Sequence, residues 1–230
     1  MATRISSRVA ITITLSLVIV GALYVIEQFI GASYVVKTAL KVLLFLILPL
    51  GLAFAYEQKR ISKILGLENF TVQSLLPGLL LGVGSFLIIL GAYAILGSFI
   101  DMEAIADNLE SKLGINSGNF LFVGLYVIFV NSLLEEFFFR GFLFLNLKGH
   151  ASRVFAYVFS AGLFAVYHLA IIKGWFNPVL MALALISLFV IGLVFNYLNS
   201  RSGHFLNSWL AHGIADSAII LIGMHMFGIL

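Results

Sequence analysis

Three charged side chains lie close together inside one apolar stretch of the sequence. Glu135, Glu136 and Arg140 are flanked by Leu and Phe residues. A charge at the centre of a membrane helix costs about 2.5–3.5 kcal/mol, so each of these groups needs a partner or a function. Successive helical residues point about 100° apart, so the two glutamates must face different surroundings. The four-residue spacing predicts that Glu136 pairs with Arg140, and it leaves Glu135 without this partner.

Two further apolar stretches each carry a histidine with a neighbour four residues away. Phe164 is expected to pack against the imidazole of His168. Asp216 is expected to hydrogen-bond to His212 and to select its tautomer. Because the glutamate and the two histidines belong to three separate apolar stretches, we expect Glu135, His168 and His212 to line one cavity.

These residue types are suited to two kinds of chemistry. A glutamate can take a proton from water, a neighbouring histidine can hold that water, and a second histidine can donate to the oxyanion of an amide under attack. The set fits a water-activating peptidase. Two imidazoles and a carboxylate also match a divalent metal site, for example zinc, with Glu135, His168 and His212 as ligands. The sequence lacks the His-Glu-x-x-His pattern of the common zinc peptidases, and the residue types leave both interpretations open.

The chain as a whole has the composition of a membrane protein. Of its 230 residues, 62% are hydrophobic and 10% are charged, and the mean hydropathy is +1.12. About a quarter of the residues of a soluble domain are charged, so this composition excludes a water-soluble domain. The absence of cysteine excludes a thiolate metal site and a cysteine nucleophile. A net charge of +3 does not indicate a nucleic-acid partner.

The apolar stretches predict an all-α fold, a polytopic transmembrane helix bundle that forms a single membrane domain over residues 1–230. Seven spans are predicted, at about 9–31, 36–56, 75–100, 119–147, 152–172, 177–199 and 204–229. The fourth is too long for one straight span, and its end beyond Gly141 is predicted to bend along the interface. Eight spans are therefore the alternative.

The distribution of lysine and arginine predicts that the N-terminus is cytoplasmic. This orientation places most of the basic residues on the cytoplasmic side, namely Arg4, Arg8, Lys59, Arg60, Lys63, Arg140, Lys148, Arg153 and Arg201. Four lysines are left outside, namely Lys37, Lys41, Lys112 and Lys173.

At these polar residues the sequence resembles the CPBP family, which comprises CAAX prenyl endopeptidases and bacteriocin-processing or Abi-type intramembrane proteases. The resemblance rests on three motifs in the family's order and separation: Glu135-Glu136-x-x-x-Arg140, Phe164-x-x-x-His168 and His212-x-x-x-Asp216. Each motif falls on its own predicted span. The motif-bearing catalytic core covers about 119–222.

The resemblance implies a glutamate-dependent endopeptidase inside the bilayer, in which Glu135 with His168 activates water and His212 with residue 216 stabilises the oxyanion. The family usually has asparagine at residue 216. An ionised aspartate can only accept hydrogen bonds, so Asp216 is expected to act by orienting His212. Supporting roles fall to Glu136, Arg140 and Phe164. The glutamate mechanism is favoured over a metalloprotease, and no cofactor is expected.

The resemblance also implies a peptide or lipidated protein as substrate, such as a prenylated CAAX tail, a leader peptide or another membrane-anchored peptide. Membrane lipid is the other expected partner. A proton-coupled transporter is the alternative function, because intramembrane Glu, His and Asp also form proton relays. Transporters often show repeated halves, which this sequence lacks.

Overall fold

A computed structural model of the chain describes residues 2–30, 32–57 and 70–230. Three basic residues used to predict the orientation, Lys59, Arg60 and Lys63, lie outside the described residues, as does the side chain of Arg4. Every regular element in the described part of the chain is helical. In chain order the helices are α1 (Ala2–Phe29), α2 (Tyr34–Ala55), α3 (Val72–Phe99), α4 (Met102–Leu113), α5 (Phe120–His150), α6 (Arg153–Ile172), α7 (Pro178–Ser202) and α8 (Leu206–Met226).

Seven of these helices, all except α4, are long and apolar enough to cross a membrane. Among the described residues, the chain is therefore an all-α, seven-span helix bundle, as predicted. The alternative of eight spans is not supported there, because the helical backbone of α5 continues without a break from Phe120 to His150.

Capping residues mark the helix ends next to the helices that carry the polar motifs. The Ser152 hydroxyl accepts a hydrogen bond from the backbone N–H of Phe155 and caps the start of α6. Between α7 and α8 the chain reverses at Gly203, whose φ of 79° is a left-handed conformation that favours glycine. Ser152 thus fixes where the helix bearing His168 begins, and Gly203 ends α7 shortly before α8, the helix bearing His212, begins at Leu206.

Helix α5 changes its winding on both sides of the two glutamates. An α-helical turn, Ser132–Glu136, lies between two π-helical segments, Val127–Asn131 and Phe137–Phe144. Wider π-helical turns are uncommon and are found frequently at functional sites. The extra residues let this long helix change the direction in which its side chains point while it remains continuous.

The helices that carry the motifs form the interior of the bundle. Within one apolar stretch of 18 residues in each helix, half of the residues of α6 and 39% of those of α5 and of α8 are buried, against 11% in α7 and 6% in α3. Close approach of α8 to α5 depends on Gly213, because a Cβ there would lie 2.8 Å from the backbone oxygen of Ile128. The residue next to His212 is thus small enough to bring α8 against the π-helical part of α5.

Stacked aromatic rings fix α2 against α5 and α6. The rings of Phe45 and Phe138 lie 4.3 Å apart and nearly parallel, and both side chains are fully buried. Phe45 also contacts Phe139 on α5 and Tyr167 on α6. This packing sets the position of the helical turn of α2 that precedes Phe45.

Candidate active site

Glu135, His168 and His212 converge from α5, α6 and α8. One carboxylate oxygen of Glu135, Oε2, lies 3.6 Å from Nε2 of His168 and 4.0 Å from Nε2 of His212. One ligand atom from each of the three side chains lies within 4.8 Å of the others. The structure thus brings together the three side chains that were expected to line one cavity.

The backbone of α6 orients the imidazole of His168. Its Nδ1 lies 2.8 Å from the carbonyl oxygen of Phe164, and a carbonyl only accepts, so Nδ1 must carry a proton. In the neutral ring, Nε2 then has a lone pair that faces Glu135. The Phe164 ring packs edge-on against the imidazole with centroids 4.4 Å apart, which confirms the predicted contact.

His212 is oriented by Glu136, which corrects the expectation for Asp216. The Nδ1 atom of His212 lies 2.9 Å from Oε1 of Glu136. Asp216 faces the opposite nitrogen, with Oδ1 3.6 Å from Nε2, which is too long for a hydrogen bond. The one-turn spacing brings Asp216 near the ring, but a carboxylate from another helix selects the tautomer.

Glu136 and Arg140 form the predicted ion pair. Nη1 of Arg140 donates to Oε1 of Glu136 at 2.8 Å, and neither side chain is exposed. The guanidinium also lies over two aromatic rings, 3.9 Å from the centroid of Phe164 and 5.1 Å from that of Phe195. Glu136 thus links a buried cation to His212.

The part of the chain that carries the three motifs matches a known protein family. Residues 117–218 match the family model described as "Type II CAAX prenyl endopeptidase Rce1-like". This part of the chain belongs to the CAAX protease family. The match confirms the resemblance drawn from the three motifs, all of which it contains. No curated protein and no solved structure matches the chain.

Residues 117–218 are accordingly similar to CAAX-type intramembrane proteases, and the seven apolar helices make the chain an integral, multi-pass membrane protein. Its seven motif residues lie within the matched region, and the structure gathers them around the Glu135 carboxylate and the adjoining Glu136–Arg140 pair. Helices α1 to α4 precede the matched region.

The cluster around Glu135 also contains Lys41, a residue that the sequence analysis uses only to predict the orientation of the chain in the membrane. The distribution of basic residues predicts that Lys41 of α2 lies on the outer side, and the spacing within α5 leaves Glu135 without a partner. In the structure Nζ of Lys41 lies 3.4 Å from Oε1 of Glu135, and 17% of the lysine side chain is exposed. Two neutral donors, Asn131 and Tyr167, reach the same oxygen.

A signal for Lys41 was present in the sequence. The same cost of intramembrane charge that singled out Glu135 applies to a lysine inside the predicted span 36–56. Pairing the charges of different spans would have made Lys41 a candidate partner of Glu135. Tyr167 gave no comparable signal, because a tyrosine in an apolar helix is an ordinary packing residue.

The three converging side chains also fit a divalent metal. Each histidine uses Nδ1 to donate to an acceptor, Phe164 O or Glu136, and turns Nε2 toward Glu135. Metal-binding histidines commonly have such an outer partner on the second nitrogen. Oε2 of Glu135 is buried and makes no hydrogen bond to a described residue. These ligand types suit zinc, with Glu135, His168 and His212 as the three protein ligands.

Proposed function

We propose that the chain is a glutamate-dependent endopeptidase in which Glu135 and His168 activate a water for attack on a peptide bond. The strongest support is the difference in hydrogen bonding between the two oxygens of the Glu135 carboxylate. Oε1 accepts from three donors, whereas Oε2 is left to face the two imidazole Nε2 atoms. A general base needs such an open acceptor beside the position of the attacking water.

The geometry suits a water held by two acceptors. Oε2 of Glu135 and Nε2 of His168, 3.6 Å apart, can each accept one hydrogen of the same water, which leaves the water oxygen free to attack. As the C–O bond forms, Glu135 takes a proton. When the tetrahedral intermediate collapses, the protonated Glu135 returns that proton to the leaving amine nitrogen, and the C–N bond breaks.

His212 and Asp216 would stabilise the oxyanion. Nδ1 of His212 already donates to Glu136, so Nε2 donates to an oxyanion only when the ring is an imidazolium. Glu136 at 2.9 Å and Asp216 at 3.6 Å flank the ring and stabilise its positive charge. Asp216 therefore contributes by charge, and Glu136 contributes the orientation.

The charge balance of the cluster suits this protonated state of His212. Three carboxylates face two fixed cations: Glu135, Glu136 and Asp216, with Lys41 and Arg140. When all five are ionised, one negative charge remains, and one proton on His212 neutralises it. A dication in place of that proton would leave one positive charge in apolar surroundings, which is costly unless the metal also carried a hydroxide. The metal-dependent protease nevertheless fits the ligand set and is the second candidate.

The substrate class follows from the family and the surroundings of the site. CAAX prenyl endopeptidases, the family matched here, are named for prenylated peptides, and we propose a prenylated or otherwise membrane-anchored peptide as the substrate. The side chains of Lys41, His168, His212 and Asp216 are 11–17% exposed, so an incoming peptide chain can reach this cluster.

The test uses the purified full-length protein in a lipid bilayer. Three peptides of equal length are offered: a farnesylated CAAX peptide, the same peptide without the lipid, and a leader peptide with a membrane anchor. Mass spectrometry locates the bond that is cut, and Glu135→Gln controls for contaminating proteases. We expect cleavage of an anchored peptide that is absent with Glu135→Gln. Equal cleavage by the two proteins would contradict the proposal.

A further inference from the structure

The two oxygens of the Glu135 carboxylate have different surroundings. Oε1 accepts from Nδ2 of Asn131 at 2.8 Å, from the Tyr167 hydroxyl at 3.1 Å and from Nζ of Lys41 at 3.4 Å. Oε2 makes no hydrogen bond within the described residues. The side chain is thus held through one oxygen, and the direction of the other depends on that hold.

Lys41 is itself held in place by the groups that hold Glu135. Its Nζ donates to Oδ1 of Asn131 at 2.6 Å and lies 5.3 Å from the centroid of the Tyr167 ring. One turn further along α2, Phe45 stacks on Phe138 of α5 and anchors this part of the helix. The ammonium therefore has a fixed position between α2, α5 and α6.

The contact between Lys41 and Asn131 also determines which way the amide faces. An ammonium can only donate, so Oδ1 of Asn131 must point to Lys41, and Nδ2 must then point to Glu135. Without the lysine, the amide loses the contact that prevents it from turning its oxygen toward the carboxylate. Lys41 thus acts on Glu135 directly through charge and indirectly through Asn131.

Among the described residues, the ionisable groups that face Glu135 come from three helices packed around it. They are Lys41 on α2, Tyr167 and His168 on α6, and His212 with its neighbour Asp216 on α8. Arg140 donates to Glu136 instead. Lys41 is therefore the fixed cation of the Glu135 carboxylate in this part of the chain.

We infer that Lys41 is a positioning residue of the protease: it holds Oε1 of Glu135 and thereby aims Oε2 at the water site between the two histidines. This inference rests on the proposed function, because it assigns Lys41 a role only through Glu135. A displacement of about 1 Å in a catalytic group lowers the rate by up to about 100-fold. The loss of Lys41 should therefore lower kcat and leave KM nearly unchanged.

The test compares Lys41→Met and Lys41→Arg with Lys37→Met as a matched control. Lys37 lies one turn earlier on α2 and pairs with Glu27 at 2.9 Å, away from the Glu135 cluster. We expect kcat to fall about 10–100-fold for Lys41→Met. Lys41→Arg should recover part of the loss, and Lys37→Met should keep the rate of the parent protein. If arginine restores part of kcat, the loss in Lys41→Met is due to the missing positive charge and not to a general loss of packing.

A double variant makes the test independent of how well Lys41→Met folds. If Lys41 acts through Glu135, adding Lys41→Met to Glu135→Gln should not lower the residual rate further, because the base that it positions is already gone. Parent-like kcat in Lys41→Met, together with an inactive Glu135→Gln, would overturn the inference and leave the proposed function standing. An additive loss in the double variant would also overturn it. Full activity of Glu135→Gln would instead reject the proposed function.

Discussion

Glu135 and Glu136 are adjacent in the chain, yet their surroundings differ in the feature that decides their chemistry. Glu136 is completely buried and binds Arg140 and His212 through one oxygen. Glu135 is almost as buried, but it faces His168, His212 and Lys41, whose side chains are 11–17% exposed. Glu136 is surrounded by buried partners, whereas Glu135 is surrounded by partners that are partly exposed.

This difference shows how one helical turn can supply both a reactive and a structural carboxylate. Neighbouring residues on a helix point about 100° apart, so Glu135 and Glu136 meet different helices. The partner of Glu136, Arg140, is fixed by the sequence of the same helix. The partners of Glu135 come from α2 and α6 as well as α5, so its surroundings depend on the whole bundle.

The largest effect is expected for the open carboxylate. Glu135→Gln preserves the shape of the side chain and removes the base, so we expect cleavage to fall by about 10²–10⁴-fold. The temperature of thermal unfolding should change less than in Glu136→Gln, because Asn131 and Tyr167 still have an oxygen or nitrogen to contact and Lys41, unlike Arg140, is partly exposed to solvent. Glu27→Gln, which removes the partner of Lys37, is the control and should cleave at the parent rate.

The opposite pattern is expected for the buried carboxylate. Glu136→Gln leaves Arg140 without its counter-ion among buried residues, so we expect the free energy of unfolding to fall by about 3 kcal/mol. Thermal unfolding in one detergent, with Glu27→Gln again as the partly exposed control, measures this loss. A stability equal to that of the parent protein would show that Arg140 finds other acceptors and would remove the distinction between the two glutamates.

A smaller effect on the cleavage rate is expected at Asp216, which lies beside the imidazole of His212 without a hydrogen bond to it. Asp216→Asn removes the charge that stabilises the His212 imidazolium but supplies its own donor for the oxyanion, so it should stay within about 10-fold of the parent rate. Asp216→Ala has neither the charge nor the donor and should lose more, about 100-fold. If the two variants were equally impaired, the charge of Asp216 would be what His212 requires, and the amide would not replace it.

Short-range patterns explain what could be predicted from the sequence. Runs of apolar residues gave the seven spans, since the bilayer thickness sets their length. Spacing of four residues gave the Glu136–Arg140 pair and the contact between Phe164 and His168, because both depend on one helix. The same spacing brought Asp216 near His212, but it did not show which nitrogen the aspartate would face.

Contacts between helices explain what the sequence did not reveal. The bond from His212 to Glu136 joins α8 to α5, and the contact from Lys41 to Glu135 joins α2 to α5. Neither follows from spacing along one helix. The π-helical segments on both sides of Ser132–Glu136 had no clear signature either, although they change where the side chains of α5 point.

The most direct test of the central claim, that Glu135 activates water without a metal, is the metal content of active protein measured together with its sensitivity to chelators. The purified protein is analysed for metals, treated with a strong chelator and assayed on the peptide that it cleaves, beside Glu135→Gln. We expect less than stoichiometric metal, an unchanged cleavage rate after chelation and an inactive Glu135→Gln. One tightly bound metal ion per chain, with activity lost on chelation and restored by that metal, would contradict the glutamate mechanism and assign Glu135, His168 and His212 as its ligands.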